Sequence, residues 1–125
     1  MTLSIHEQPI DLSGSFKKSI ETLIITNRAY LDPNFNLNQF VRTNQLNQTF
    51  IRQYLKAGNY DNFSEFINAL RIQSFKDKIA QDFYKNYDFF SIARDCGFRS
   101  KATFYRVFRK YEGMTPSEYE RTLKR

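Results

Sequence analysis

The side chains best suited to chemistry lie in a basic stretch near the end of the chain. Residues 100 to 111, S-K-A-T-F-Y-R-V-F-R-K-Y, contain four cationic side chains and no acidic one. Guanidinium and ammonium groups bind the phosphates of nucleic acids, and a guanidinium also forms paired hydrogen bonds with the edge of guanine. The stretch therefore predicts recognition of a polyanion.

The charge of the whole chain favours the same class of partner. Its 125 residues include 19 Lys and Arg against 13 Asp and Glu, a formal net charge of +6. Most of the excess lies in the second half, because residues 1–62 carry six basic and five acidic side chains and residues 63–125 carry thirteen and eight. Such a balance suits a polyanionic partner.

Enzyme chemistry has little support in the sequence. The one histidine, His6, has no Ser or Cys partner, and we find no metal-ligand spacing and no glycine-rich phosphate loop. We therefore predict no catalytic residue, no bound metal and no cofactor. The single cysteine, Cys96, is interpreted as a packed small residue, and its lack of a disulfide partner favours a reducing cytoplasm. No apolar run is long enough to span a bilayer, so we expect a soluble chain without membrane contact.

Apolar residues recur with a helical period along most of the chain. This pattern predicts an all-α fold with about seven helices. Residues 1–14 show no sustained period and are predicted to be a flexible lead or linker, so the folded domain spans residues 15–125. The first helix is predicted to begin at an N-cap, Ser15, and to stop at the Asp-Pro-Asn sequence of residues 32–34.

An internal repeat is the strongest signal in the sequence. The matching positions are Phe40-Val41 with Ile92-Ala93 at an offset of 52, and Ile51 and Leu55 with Phe104 and Phe108 at an offset of 53. Each copy has a short helix, a turn, a capping Asn47 or Ser100, and an apolar i, i+4 pair on the following helix. This is the pattern of a helix-turn-helix unit, whose second helix presents its outer face to the major groove.

The repeat predicts the domain organisation. We expect a first helix-turn-helix at about residues 36–57, a linker helix at about 63–82 and a second helix-turn-helix at about 88–111. Asp88 is predicted to cap the first helix of the second copy, and Gly113 to end its second helix. The predicted core of this copy includes three phenylalanines, Phe98, Phe104 and Phe108.

A long segment that includes the second copy of the repeat comprises residues 89–119, F-F-S-I-A-R-D-C-G-F-R-S-K-A-T-F-Y-R-V-F-R-K-Y-E-G-M-T-P-S-E-Y. This segment resembles the C-terminal signature of the AraC/XylS family of bacterial transcription regulators. The resemblance continues through N-F-S-E-F-I-N-A-L-R-I at residues 62–72 and covers about residues 15–121. It implies that two helix-turn-helix subdomains, joined by the linker helix, read successive major-groove segments on one face of the duplex.

Two positions depart from the family pattern. Gln45 stands in the first turn where the second turn has Gly97, and Tyr60 stands where Gly113 stands in the second copy. Because asparagine tolerates a left-handed backbone, we expect Asn44 to supply that conformation in the first turn. The departures bear on how the first recognition helix is presented and leave the predicted fold unchanged.

The resemblance also implies which side chains meet DNA. Expected base contacts are Thr49, Arg52 and Gln53 on the first recognition helix, and Lys101, Ala102, Thr103, Tyr105 and Arg106 on the second. Arginine suits guanine, glutamine suits adenine, and alanine can meet a thymine methyl group. Expected phosphate contacts are Gln48, Arg99, Ser100, Arg109 and Lys110.

Other interpretations stay open on the sequence alone. Arg106 also suits a phosphate contact or a solvated surface, and the polar residues of the first recognition helix suit an ordinary surface. Arg71 resembles a half-buried arginine of the family that braces the two subdomains, although a solvated charge on the linker helix fits equally well. The whole chain also fits a helical protein-interaction module that has lost its affinity for DNA, against which the acid-free basic stretch argues.

The leading hypothesis is sequence-specific binding of double-stranded DNA for transcription regulation. RNA polymerase is the expected protein partner. Family members usually attach this domain to a sensor or ligand-binding region, so the chain is expected to be part of a larger regulator or a short member that acts alone. The linker helix from about Ser64 to Gln81, some 18 residues, is ~27 Å long, against ~34 Å between adjacent major-groove entries. With the scaffold helices packed at its ends, a helix of this length can hold both recognition helices on one side of the DNA. One chain is therefore predicted to contact two groove segments, in a site that is asymmetric because the two recognition helices carry different side chains.

Overall fold

The computed structural model describes residues 20–123, and this part of the chain is helical without any β-strand. A π-helix at Glu21–Thr26 precedes six α-helices: α1 Leu37–Asn44, α2 Gln48–Ala57, α3 Phe63–Ile79, α4 Phe89–Asp95, α5 Lys101–Glu112 and α6 Pro116–Thr122. Short 3-10 turns lie at Ala29–Leu31 and Asp82–Tyr84. The all-α class and the number of about seven helices are thereby confirmed. The predicted lead at residues 1–14, with His6, and the predicted cap Ser15 lie outside the described residues.

The described chain divides into two compact units. The first comprises residues 20–29 and Phe35–Phe66, and therefore contains α1, α2 and the first turn of α3. The second comprises Tyr30–Asn34 and residues 67–123, and therefore contains the rest of α3 together with α4, α5 and α6. The five residues Tyr30–Asn34 thus belong to the second unit although they precede α1 in sequence.

The first helical segment ends earlier than the sequence pattern predicts. It stops at Thr26, and Arg28 then adopts a left-handed backbone with φ of 58°, so the stop predicted at residues 32–34 is wrong. The sequence predicted a later end because the apolar side chain of Leu31 falls on the helical period of the residues before it. Leu31 packs against the core of the second unit and does not continue the apolar face of the first helix.

Each unit has an aromatic core. In the first unit the ring of Phe40 packs edge-on against Phe35, with ring centroids 5.5 Å apart, and near the ring of Phe63 at 6.3 Å. In the second unit Phe75 of α3 lies against Phe104 and Phe108 of α5, with ring centroids 4.7 and 5.6 Å apart. The predicted core residues Phe98, Phe104 and Phe108 are all buried. These rings fix the apolar faces of the helices and so determine which faces remain exposed.

Helix α3 is shorter than the linker helix predicted to reach residue 82. It begins after Asn62, whose side-chain oxygen accepts a hydrogen bond of 2.9 Å from the amide of Glu65. It ends at Ile79, and the 3-10 turn Asp82–Tyr84 follows. Buried residues Ile72, Phe75 and Ile79 recur along it at helical spacing and face the core of the second unit.

Candidate nucleic-acid interface

Helix α5 is the second recognition helix predicted from the repeat, and its two ends are defined by the residues that the sequence indicated. The hydroxyl of Ser100 accepts a hydrogen bond of 3.1 Å from the amide of Thr103, which satisfies one of the free amides of the first turn. Gly113 ends the helix with φ of 72°, and its amide donates to the carbonyl of Arg109 at 2.8 Å. The predicted cap and stop are therefore confirmed.

The face of α5 opposite its buried phenylalanines exposes most of the side chains predicted to meet DNA. Exposed positions on or just before the helix are Arg99, Ser100, Lys101, Ala102, Arg106, Arg109 and Lys110. Two of the predicted positions are partly buried, Thr103 and Tyr105, and the ring of Tyr105 packs on Phe104 with centroids 5.1 Å apart. The exposed set combines guanidinium, ammonium and methyl groups, the side-chain types that contact phosphates and base edges.

Helix α2, which the repeat predicts to be the first recognition helix, has the same plan. The side chain of Asn47 accepts a hydrogen bond of 2.7 Å from the amide of Thr49, so the predicted cap is confirmed. Ile51 and Leu55 are buried against the rest of the first unit. The predicted positions Gln48, Thr49, Arg52 and Gln53 are all exposed. Arg52 reaches back along the helix, and its Nη2 donates to Thr49 Oγ1 at 3.4 Å.

In the first turn, the residue with a left-handed backbone is not the one that the sequence predicted. Gln45 adopts φ of 54° and ψ of 47°, whereas Asn44 stays in α1 and donates from its side-chain amide to the carbonyl of Phe40 at 3.0 Å. The expectation that Asn44 would supply this conformation is therefore wrong. The left-handed residue here directly follows the last residue of α1, and a side chain in that conformation costs about 1–2 kcal/mol. After α2 the residue with a left-handed backbone is Asn59, with φ of 65°, which directly precedes Tyr60.

Gly97 differs from Gln45 in what lies beside it. A Cβ atom at Gly97 would lie 2.5 Å from Arg71 Nε and 2.5 Å from the carbonyl oxygen of Tyr30, and its φ is 105°. The second turn thus needs glycine for close approach as well as for backbone conformation. The site of this close approach is the segment Tyr30–Asn34, which belongs to the same unit.

Arg71 holds that segment in place. Its Nε donates to the carbonyl of Tyr30 at 2.7 Å, and its Nη2 donates to the carbonyl of Asp32 at 2.9 Å. Burial lowers the pKa of the Arg71 guanidinium, and the charge of Asp32 acts in the opposite direction. The interpretation of Arg71 as a solvated charge is therefore wrong, because the side chain is half-buried and bonded to backbone carbonyls.

Lys56 is a candidate phosphate contact that the sequence reasoning missed. It is exposed in the last turn of α2, and at the repeat offset of 53 it corresponds to Arg109 of α5. The signal was available, because the offset that relates the buried positions also relates the exposed ones. The exposed stripe of α2 therefore runs from Gln48 through Arg52 to Lys56, at i, i+4 and i+8.

One ion pair fixes the C-terminal end of α5. Lys76 Nζ of α3 lies 3.1 Å from Glu112 Oε2, with the two side chains 22% and 19% exposed. The same ammonium group stands over the ring of Tyr119 of α6, 5.4 Å from its centroid. Lys76 of α3 thus contacts two other helices, α5 and α6, and helps to hold α5 in place.

The other titratable groups have structural roles. Asp88 caps α4, and hydrogen bonds from the hydroxyl and amide of Ser91 and from the amide of Phe90 lower its pKa. Cys96 is buried, its Sγ lies 3.4 Å from Ser74 Oγ, and burial raises the pKa of the thiol. Within residues 20–123 we find no group of three or more His, Cys, Asp or Glu residues placed to hold a metal ion. In the same part of the chain, no helix has the length and apolar character needed to cross a membrane.

Comparison with known proteins gives two matches that cover this region. The model of a family described as "Helix-turn-helix domain" matches residues 40–122, a range that contains α2 and α5. Regulatory protein SoxS of Salmonella typhimurium strain LT2 is 25% identical over 109 residues, which is 87% of this chain and 99% of that protein. No solved structure matches the chain significantly.

Proposed function

Because this chain belongs to the AraC-type helix-turn-helix family of DNA-binding transcription regulators, we propose that it binds specific double-stranded DNA sequences with α2 and α5 as its recognition helices. The family is not a class of enzymes. The observation that carries the proposal is the shared plan of the two helices. Each is capped by a side chain, buries an apolar i, i+4 pair and exposes cationic or hydrogen-bonding groups on the opposite face.

The proposed base contacts follow from the chemistry of the exposed side chains. Arg106 and Arg52 each match guanine O6 and N7, and Gln53 matches adenine N6 and N7, in contacts worth about 1–3 kcal/mol of discrimination each. Ala102 suits a thymine methyl group. The remaining proposed base contacts are Thr49, Lys101, Thr103 and Tyr105. Since the two helices carry different side chains, the proposed site is asymmetric.

The flanking polar and cationic side chains are proposed to contact phosphates and to add affinity for DNA that does not depend on its base sequence. The proposed phosphate contacts are Gln48, Lys56, Arg99, Ser100, Arg109 and Lys110, all of them exposed. Each cation that neutralises a phosphate adds about 0.9 to the slope of log K against log salt concentration. The net charge of +6 supports the same electrostatic attraction at longer range.

The remaining partners follow from the family. We propose RNA polymerase as the protein partner, whose recruitment or exclusion turns DNA binding into regulation. A sensor or ligand-binding region, on the same polypeptide or on another, is proposed to supply the signal. The bacterial cytoplasm is the proposed compartment.

Footprinting at one chain per site tests the proposal. A duplex selected for tight binding should show two protected groove segments, each assigned to one recognition helix. Gln53→Ala should weaken protection of one segment, and Arg106→Ala should weaken protection of the other. Lys85→Ala serves as the matched control, because Lys85 is exposed but lies outside both recognition helices. Binding that is absent, or that does not weaken with salt, would contradict the proposal and favour a protein-interaction module.

A further inference from the structure

The first unit contains a pocket beside its recognition helix. Its volume is about 690 Å³, within the range of about 300–1,000 Å³ that small-molecule sites occupy. The start of α1, one face of α2 and the loop that leads into α3 form its walls. Three apolar residues at its base, Ile51, Leu55 and Phe63, belong to the core of the unit and are only 2%, 5% and 8% exposed.

Two cations line the same pocket on one wall. Arg52 and Lys56 lie one turn apart on α2, both are exposed, and within residues 20–123 neither forms an ion pair. Arg52 has one hydrogen bond, to Thr49 Oγ1 at 3.4 Å, which leaves most of its donors available. Like charges at i, i+4 repel each other, so an anion between them relieves an unfavourable arrangement. The loop that leads into α3 contributes one acidic residue, Asp61, together with Asn59 and Asn62.

We propose that this pocket binds an organic anion with an apolar body, such as an aromatic carboxylate. The anionic group would lie between Arg52 and Lys56, and the apolar body would pack on Leu37 and Tyr60, the partly exposed apolar residues of the lining. The carboxylate of Asp61, also in the lining, disfavours a second negative charge on the ligand, which therefore carries one charged group. Charge complementarity on one side and an apolar base on the other distinguish this ligand from inorganic phosphate.

Occupation of the pocket has a consequence for DNA binding. Gln48 and Arg52 line the pocket and are also proposed contacts of the first recognition helix. A ligand that holds Arg52 therefore competes with DNA for the same guanidinium. This consequence, unlike the pocket itself, depends on the proposed function.

Titration of the full chain with 1-naphthoate, without DNA, tests the site. A ligand of this size should bind with a dissociation constant of order 0.1–1 mM. Backbone amide resonances of residues 48–63 should shift in NMR spectra, while those of α5 should not. The neutral analogue 1-naphthalenemethanol and inorganic phosphate should each bind at least about threefold more weakly. Phosphate that binds as tightly as 1-naphthoate would overturn the proposal, because the site would then be a simple phosphate contact.

A matched pair of variants assigns the anion to this wall. Lys56→Gln should weaken 1-naphthoate binding by about three- to fivefold, the effect of an exposed charge pair, and Lys85→Gln should leave it unchanged. Equal affinities for both variants, or the absence of saturable binding, would overturn the site. If the chain binds DNA, 1-naphthoate at four times its dissociation constant should raise the apparent dissociation constant for DNA about fivefold. Unchanged DNA affinity under that condition would refute the proposed competition between 1-naphthoate and DNA. If the chain binds no DNA, the titration with 1-naphthoate alone still tests whether the pocket binds the anion.

Discussion

Replacing Gly97 by alanine should destabilise the protein far more than the same change at Gly113. Both glycines have positive φ, 105° and 72°, so both alanines suffer backbone strain of about 1–2 kcal/mol. Both substitutions also remove similar freedom from the unfolded chain, which cancels in the comparison. The two sites differ in space, because a Cβ at Gly113 meets nothing within 4 Å.

The added cost at Gly97 comes from the contact that its Cβ displaces. The new atom would lie 2.5 Å from both Arg71 Nε and the carbonyl oxygen of Tyr30, and it cannot move away from a backbone oxygen cheaply. Those two atoms form the hydrogen bond of 2.7 Å that holds Tyr30–Asn34. A hydrogen bond to a charged group contributes about 1.5–3 kcal/mol, so Gly97→Ala should lose that much more than Gly113→Ala.

Urea denaturation of the two variants and the wild type measures this difference. The free energy of unfolding should fall in the order wild type, Gly113→Ala, Gly97→Ala, and small domains have only about 5–15 kcal/mol in total. Arg71→Lys provides an independent check, because lysine keeps the charge but cannot reach both carbonyls with a planar fork. Equal destabilisation by the two alanines would refute the role given to the Arg71 contact.

Three further predictions concern single groups. Hydrogen bonds hold the native pKa of Asp88 below its ordinary value of 3.8, so the stability it contributes is present above about pH 4 and is lost as the pH falls through the lowered native pKa. The urea midpoint of the wild type should therefore fall more steeply in acid than that of Asp88→Asn, and parallel curves would contradict this. The Cys96 thiol is buried with a raised pKa, so a disulfide reagent should label it only as fast as the protein opens, and rapid labelling of the native protein would show otherwise. Arg106→Ala should lower the preference for one base pair of the DNA site by about 1–3 kcal/mol. Arg109→Ala should weaken binding to all DNA sequences and lower the slope of log K against log salt concentration by about 0.9. If each variant instead showed the other's pattern, the base and phosphate roles of the two arginines would have to be exchanged.

The sequence predicted the fold correctly where a local pattern determines the structure. The apolar repeat and the caps Asn47, Asp88 and Ser100 were readable because each depends on a few neighbouring residues. The exposed faces of α2 and α5 could be predicted in the same way, since the buried i, i+4 pair of each helix defines the opposite side. Lys56 could have been found in the same way from its offset to Arg109.

The sequence failed where distant residues decided the structure. The early end of the first helix reflects the packing of Leu31 in the second unit, which no local period reveals. The need for glycine at position 97 depends on Tyr30 and Arg71, both far away in sequence. The left-handed turn at Gln45 was misassigned to its neighbour because propensity favoured asparagine, whereas position after the helix end was decisive.

Selection of bound sequences from a random duplex pool tests the central claim most directly. Wild-type chain should enrich one asymmetric motif with two separated blocks of preferred bases. The same selection with Arg106→Ala should lose preference at one position of one block while the other block is kept, as expected when each helix reads its own groove segment. A pool that shows no enrichment would contradict sequence-specific binding, and a motif with a single block would show that only one of the two helices reads DNA.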